Sequence, residues 1–335
     1  MNLLIVTQKV DSADPILGFF HRWLAEFSKH CEQVTVIGQL VGEHNLPDNV
    51  EVHSLGKEKG HSRLRQMIRF GLLQWKLRKQ YDTVFVHMTP IWVVLGWKTW
   101  FLLRKRVYLW YEARGGGWAL PLSLLFVRKV FSATEYGLPK KSKKSVITGH
   151  GIDTEYFAQT QEREKGLIVT IGRTTRTKHL DVIIKAFAQL PDSCKLFIAG
   201  GPITKQDANV LEELTALMVK LNVSDRITIQ SVPHEEIRSR LQRAELTLHA
   251  CGGGLDKAVL EAMACGCSVV SCSKATAYVL PENLMCSEET MGEKAKEVLR
   301  MSNDERSRLA EDLRRRVVEK HSLRKLVERL VKEME

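Results

Sequence analysis

The stretch GGGLDKAVLEAMACG, residues 252–266, sets three glycines ahead of a short apolar helix pattern and places one carboxylate, Glu261, inside it. Leu255, Ala258, Val259, Leu260, Ala262, Met263 and Ala264 surround that acid on nearly every helical face, as in a buried helix. A buried carboxylate is costly unless its oxygens receive hydrogen bonds, so Glu261 needs donors. The vicinal hydroxyls of a ribose are one source; backbone amides or an arginine of the same domain are the other. The glycine run through Gly254, with Leu255 and Asp256 behind it, bares N–H groups at a helix N-terminus, where the dipole favours a phosphate. From Leu255 to Glu261 the axial rise is roughly 9 Å. That spacing sets a diphosphate at the helix start and a ribose beside its second turn.

A second cluster follows an apolar run. LIVTIG (167–172) ends at Gly172 and Arg173, and Lys178 stands five residues further on, ahead of a helix pattern that begins at His179. Two cations at the carboxyl end of a strand suit a diphosphate, Arg173 through its forked donors and Lys178 as a point charge. Together with Glu261 on another strand–helix unit they describe a nucleoside diphosphate clamp. If the bond to the diphosphate breaks, both cations meet charge that grows in the transition state, which makes them catalytic candidates as well. No Ser-His-Asp pattern accompanies them, and no hydrolase carboxylate pair is legible.

Positioning these residues requires strands. LLIVTQ (3–8), QVTVIG (33–38), TVFVHM (83–88) and VYLWYE (107–112) read as strands buried on both faces, separated by helical patterns at 18–30 and 61–80. The second half repeats the alternation: strands at 167–172, 195–200, 226–230, 246–250 and 268–272, helices near 179–190, 207–222, 234–243 and 255–265. Strand and helix in alternation, twice over, predict α/β architecture with two doubly wound Rossmann-like domains facing across a cleft. In such sheets ligands bind beyond the carboxyl ends of the strands. The expected boundaries are 1–152 for the first domain and 153–320 for the second. Residues 321–335 form a final helix, with Ser322 as a possible N-cap, expected to return to the first domain.

At 335 residues the chain exceeds one ordinary core, and 44% hydrophobic with 27% charged residues is globular composition. The N-terminus, MNLLIVTQKV, reads as no signal peptide, and IWVVLGWKTWFLL (91–103) falls short of a membrane span. Seven cysteines without a C-x-x-C pair fit reduced thiols, so a cytoplasmic location is expected. The net charge of +11 sits entirely in residues 1–150, which hold 22 Lys+Arg against 11 Asp+Glu.

The ordered series GR-x4-K (172–178), AGGP (199–202), VPHEEI (232–237) and EAMACG (261–266), with the loop GHGID (149–153), resembles the GT-B fold glycosyltransferases, family 4. The resemblance spans nearly the whole chain. It implies transfer of a sugar from a nucleotide diphosphate sugar to a glycan or lipid-linked acceptor, with retention of configuration. No cofactor and no metal are implied, because the nucleotide sugar is the donor substrate. By the same resemblance Arg173 and Lys178 hold the diphosphate, Glu261 the ribose, and Val232 and Pro233 border the base. Three departures stand out. The family's acid eight residues before the matched Glu is Gly253 here, with Asp256 as the substitute on offer. The paired N-terminal glycines reduce to Gly18 in DPILGFFHRW (14–23). The histidine after the strand ending WYE is replaced in WYEARGGG (110–117) by Glu112 and Arg114, leaving His87 as the histidine candidate.

The basic half mixes Arg63, Arg65, Arg69, Lys76, Arg78 and Lys79 with Met67, Ile68, Phe70, Leu72, Leu73, Trp75 and Leu77, and Trp92, Trp97, Trp100 and Phe101 precede Arg104, Lys105 and Arg106. Basic residues among aromatics point to an anionic membrane surface and peripheral contact on the inner face of the cytoplasmic membrane. A solvated face of a doubly wound domain has the same pattern. No nucleic-acid module is legible, so nucleic acid is not an expected partner. A sugar-nucleotide binding protein without transferase activity, or an epimerase or phosphorylase on the same fold, are the alternatives.

Overall fold

A computed structural model describes residues 1–335 apart from positions 15, 114, 116, 140 and 141. The chain divides into two compact units, Met1–Gly151 with Leu323–Glu335, and Ile152–Ser322.

The first unit is a seven-stranded parallel sheet in the order β3-β2-β1-β4-β5-β6-β7. Its strands are β1 (Asn2–Val10), β2 (Gln33–Val41), β3 (Val50–Ser54), β4 (Thr83–His87), β5 (Arg106–Trp110), β6 (Lys129–Ser132) and β7 (Ser145–Ile147). Leu3 to Val6 and Val84 to Val86 are fully buried, as continuous apolar runs in a sheet covered on both faces must be. The covering helices are α1 (Phe19–Ser28), α2 (Arg63–Lys76), α3 (Pro90–Leu102) and α4 (Ala119–Phe126). The apolar run 91–103 is therefore α3, and no helix among the described residues is long and apolar enough to cross a membrane.

The last helix, α11 (Leu323–Met334), belongs to this first unit. Its Leu326, Val327, Leu330 and Met334 share a core with Trp23 and Phe27 of α1, each burial stabilising by roughly 1.5–3 kcal/mol. Lys129 reaches Glu333 at 2.7 Å, and the Tyr108 hydroxyl donates to the Met334 carbonyl at 3.3 Å.

The second unit is a five-stranded parallel sheet, β10-β9-β8-β11-β12. The strands are β8 (Glu164–Ile171), β9 (Lys195–Ala199), β10 (Ile227–Gln230), β11 (Ala244–His249) and β12 (Ser268–Ser271). The helices are α5 (Leu180–Phe187), α6 (Lys205–Lys220), α7 (His234–Arg243), α8 (Lys257–Ala264), α9 (Met291–Leu299) and α10 (Asn303–Lys320). β8 and β11 are adjacent central strands, so the loops that follow them lie side by side. That adjacency brings residues 172–179 to residues 251–256.

Helix α8 is anchored at its far end. Arg163 donates to the Cys265 carbonyl at 2.6 Å and Arg314 to the Ala264 carbonyl, so two guanidiniums meet its unsatisfied carbonyls. Its N-cap is Asp256, whose Oδ1 accepts from the Ala258 amide at 3.3 Å.

Candidate functional site: a cation loop and an acid-bearing helix

At the end of β8, Gly172 donates its amide to the Ala199 carbonyl at 3.1 Å. A Cβ at Gly200 would stand 2.0 Å from the Gly172 carbonyl oxygen, so the close approach of the two loops requires glycine there. Thr174 is buried, its hydroxyl donating to the Asp207 carbonyl at 3.0 Å. Arg173, just before it, is exposed, and no salt bridge among the described residues engages it. The chain then makes a single 3-10 turn, Arg176–Lys178, and enters α5 through His179 in left-handed conformation (φ 46°). The Gly252 amide donates to the Thr177 carbonyl at 3.0 Å, which ties this loop to the one after β11.

The tie has an electrostatic consequence. The Lys178 ammonium donates to the Asp256 carboxylate, a direct salt bridge between residues 78 apart in sequence. His249, at the end of β11 and 4% exposed, sets Nε2 3.7 Å from the same carboxylate and pairs Nδ1 with the Ser271 hydroxyl at 3.0 Å. Burial alone would raise the Asp256 pKa, but His249 and Lys178 outweigh it and hold the carboxyl far below its ordinary range. Burial opposes the charge on Lys178 too, and the Asp256 carboxylate overcomes it, leaving the ammonium above its usual pKa. Both groups are ionised at neutral pH. Asp256, the substitute for the acid missing at Gly253, is thus committed to Lys178 and to the helix cap. Gly253 carries no side chain, but its amide donates to the Cys251 sulfur at 3.4 Å.

Glu261 lies five residues along α8, 8% exposed. Its Oε1 is 3.8 Å from Nε2 of His234, the first residue of α7. His234 follows directly on Val232, which is buried, and Pro233, which is exposed and N-caps α7. The His234 ring lies 5.6 Å from Phe157, edge to face, and 6.2 Å from Tyr156. Helix α8 thus presents a paired acid at its N-terminus, beside Gly254 and the buried Leu255, and a second acid toward the Val232–Pro233 loop. Of the sequence candidates, the structure joins Lys178 to Asp256 at the start of α8, and beside the candidates it sets His234, Tyr156, His249 and Cys251. The last two had a legible signal, since residues 249 and 251 of an extended LHAC segment project to one side.

The candidates in the first unit fare differently. His87 ends β4 but is 2% exposed, stacked on Phe20 with ring centroids 3.9 Å apart and paired through Nδ1 with the Thr7 hydroxyl at 3.2 Å. Its ring is part of an aromatic cluster with Phe19 and Trp23, and that packing replaces the catalytic role offered to it. Glu112 accepts from the Ser132 hydroxyl and the Ala133 amide at 2.7 Å each and from both the amide and hydroxyl of Thr134, which makes it a loop anchor. Arg114 lies outside the described residues. Gly18 precedes α1 in right-handed helical conformation, and a Cβ there would stand 2.5 Å from the Asp14 carbonyl oxygen. Asp14 organises this loop, its Oδ1 accepting from the Ile16 amide at 2.9 Å and the Leu17 amide at 2.6 Å while Oδ2 pairs with Lys9.

Two parallel doubly wound sheets, with strand orders of the 3-2-1-4 type, are the architecture of GT-B glycosyltransferases. Residues 152–315, nearly the whole of the second unit, match the family described as Glycosyl transferases group 1. A segment of 132 residues is 26% identical to the N-acetylgalactosamine-N,N'-diacetylbacillosaminyl-diphospho-undecaprenol 4-alpha-N-acetylgalactosaminyltransferase of Campylobacter jejuni. That match covers 38% of this chain and about a third of the relative, 34%. Among solved structures, Anabaena HepE in complex with UDP superposes with a TM-score of 0.78 at 14% identity, covering 99% of both chains. WaaG, a glycosyltransferase involved in lipopolysaccharide biosynthesis, superposes at 0.67 with 17% identity, also over 99% of each chain.

Proposed function

We propose that this chain is a retaining glycosyltransferase that moves a sugar from a nucleotide diphosphate sugar to a glycan or lipid-linked acceptor. The observation that carries the reading is α8, with the Lys178–Asp256 pair at its N-terminus and Glu261 turned toward the Val232–Pro233 loop. Relatives that bind UDP, and one whose name places its substrate on diphospho-undecaprenol, support the donor and acceptor classes.

The mechanism asks charge and position of the protein. Arg173 and the glycine amides meet a diphosphate at the carboxyl ends of β8 and β11. Lys178 is drawn from Asp256 toward phosphate oxygens as negative charge grows on them, so its stabilisation is greatest in the transition state. Asp256 keeps His249 beside it as counter-charge when Lys178 turns. Glu261 accepts two ribose hydroxyls, which fixes the nucleoside relative to the cations.

A thermal-shift screen of UDP, GDP and ADP, with and without their sugars, tests donor binding. One base is expected to raise Tm by several degrees at a saturating concentration. Product analysis with acceptor-containing membrane extract then separates transfer from mere binding and from epimerase or phosphorylase chemistry. No stabilisation by any nucleotide diphosphate overturns the reading.

The proposal extends to peripheral contact with an anionic membrane at the cytoplasmic face, supported by α2. This helix buries Gln66, Phe70 and Gln74 and exposes Leu64, Ile68, Leu72 and Trp75, which are 56–68% exposed. Spaced at i, i+4, i+8 and i+11, the four form one apolar stripe. Arg63, Arg65, Arg69 and Lys76 border it, and between Glu58 and Glu112 the sequence holds one acid, Asp82. Such a helix lies in a headgroup layer with its apolar stripe down. Ile68→Asp is expected to lower sedimentation with phosphatidylglycerol vesicles about tenfold, from the loss of one buried apolar side chain. Equal pelleting of parent and variant, or no preference over phosphatidylcholine at low salt, rejects the contact.

A further inference from the structure

The loop between β11 and α8 holds a group for which sugar transfer has no use, the thiol of Cys251. All seven cysteines are free. Six of them, Cys31, Cys194, Cys265, Cys267, Cys272 and Cys286, have pKa values pushed up, burial being the first cause in each. Cys251 goes the other way: burial raises it, and hydrogen bonding to His249, the Lys178 charge and the Gly253 amide together bring it below the ordinary thiol value.

The geometry stands apart from that shift. The Gly253 N–H donates to Sγ at 3.4 Å, so the sulfur already acts as acceptor. A ring nitrogen of His249, the Cys251 sulfur and an Asp256 carboxylate oxygen lie within 4.8 Å of one another. Nε2 of His249 is buried, makes no hydrogen bond of normal length and stands 3.7 Å from the Asp256 carboxylate, so the imidazole is aimed into the cluster. The Lys178 ammonium sits on Asp256, where a divalent cation would need that carboxylate, and the cluster therefore favours an anion on sulfur over a metal. Cys251 is 7% exposed, and the three residues that follow it, 252–254, are all glycine, so the cover over the sulfur on that side is backbone and not side chain.

We propose that Cys251 is a nucleophilic thiolate, paired with the His249 imidazolium, and the site at which this chain is modified by hydroperoxides. The thiolate sulfur attacks the terminal peroxide oxygen, the S–O bond forms as the O–O bond breaks, and the alkoxide, or hydroxide where the oxidant is hydrogen peroxide, leaves and takes up a proton to become an alcohol or water. Sulfur is oxidised by two electrons to a sulfenic acid and the peroxide is reduced. Because the loop is the one assigned above to the donor diphosphate, oxidation there opposes donor binding. Only that last step rests on the proposed function.

Limiting iodoacetamide on the native chain, followed by peptide mass spectrometry, measures the thiolate: the S–C bond forms and iodide leaves. Cys251 is expected to label about tenfold faster than the half-buried Cys272 and Cys286, with a rate that falls off at lower pH than theirs, as for a depressed thiol. His249→Gln, its fold checked by circular dichroism, is expected to slow labelling of Cys251 and to restore an ordinary pH profile. Hydrogen peroxide followed by a sulfenic-acid trap is expected to mark the same peptide. Cys272 or Cys286 reacting first, an ordinary pH profile in the parent chain, or no trapped sulfenic acid overturns the proposal. Excess UDP in a parallel arm reads the donor assignment: protection supports the overlap, while stabilisation without protection removes it. Absence of UDP binding with fast labelling counts against the donor base and leaves the thiolate established.

Discussion

Lys178→Ala is expected to lower the rate of sugar transfer at saturating donor about 100-fold, with a much smaller change in donor affinity, because removing one preorganised charge from a developing anion costs that much in comparable sites. Lys178 neutralises Asp256, so the alanine variant leaves a largely buried carboxylate with only His249 for company. A drop in stability would follow from that alone, since an uncompensated charge is strongly destabilising. Pairing the change with Asp256→Asn separates the two roles. Asparagine still caps α8 and carries no charge, so the double variant is expected to regain the Tm lost by Lys178→Ala while its turnover stays low. Asp256→Asn alone releases the ammonium from its partner and is expected to tighten nucleotide diphosphate binding. If the double variant recovers turnover along with Tm, Lys178 is a structural cation and the diphosphate role falls to Arg173.

The same pair shows where sequence reasoning stops. The cations after β8 and the acid in α8 are legible one by one, because strand ends in a parallel sheet and a carboxylate inside an apolar helix are local patterns. Their mutual contact is not local: Lys178 and Asp256 are 78 residues apart and meet because β8 and β11 are neighbours. His87 fails for the same reason, since the ring that stacks on it, Phe20, comes from α1 and no pattern around residue 87 announces it. Strand content follows burial. The buried apolar runs LLIV of β1 and VFV of β4 stand out in the sequence, whereas β3, an edge strand reading VEVHS with no buried residue, and β7, three residues long, do not. In α2 the apolar pattern is visible, but an amphipathic helix is ordinarily taken to bury its apolar side. Gln66, bonded to the His61 carbonyl at 2.8 Å, and Gln74 occupy the inner face instead.

Glu261→Ala is expected to weaken nucleotide diphosphate binding by roughly 100-fold, the sum of two hydrogen bonds to a charged group at about 1.5 kcal/mol or more each. A loss of that size also follows if the substitution merely disturbs α8, whose other side chains are core. The nucleotide itself supplies the control. Against the parent chain, the 2'-deoxy form of the preferred nucleoside diphosphate is expected to bind at least tenfold more weakly than the ribo form, because one hydroxyl is gone and a carboxylate oxygen loses its partner. Against Glu261→Ala the two forms are expected to bind alike, since the group that tells them apart has been removed. Titration calorimetry of both nucleotides on both chains closes the cycle. A coupling near zero, with the parent indifferent to the missing hydroxyl, leaves Glu261 a structural acid near His234, 3.8 Å away, and takes the ribose out of the site.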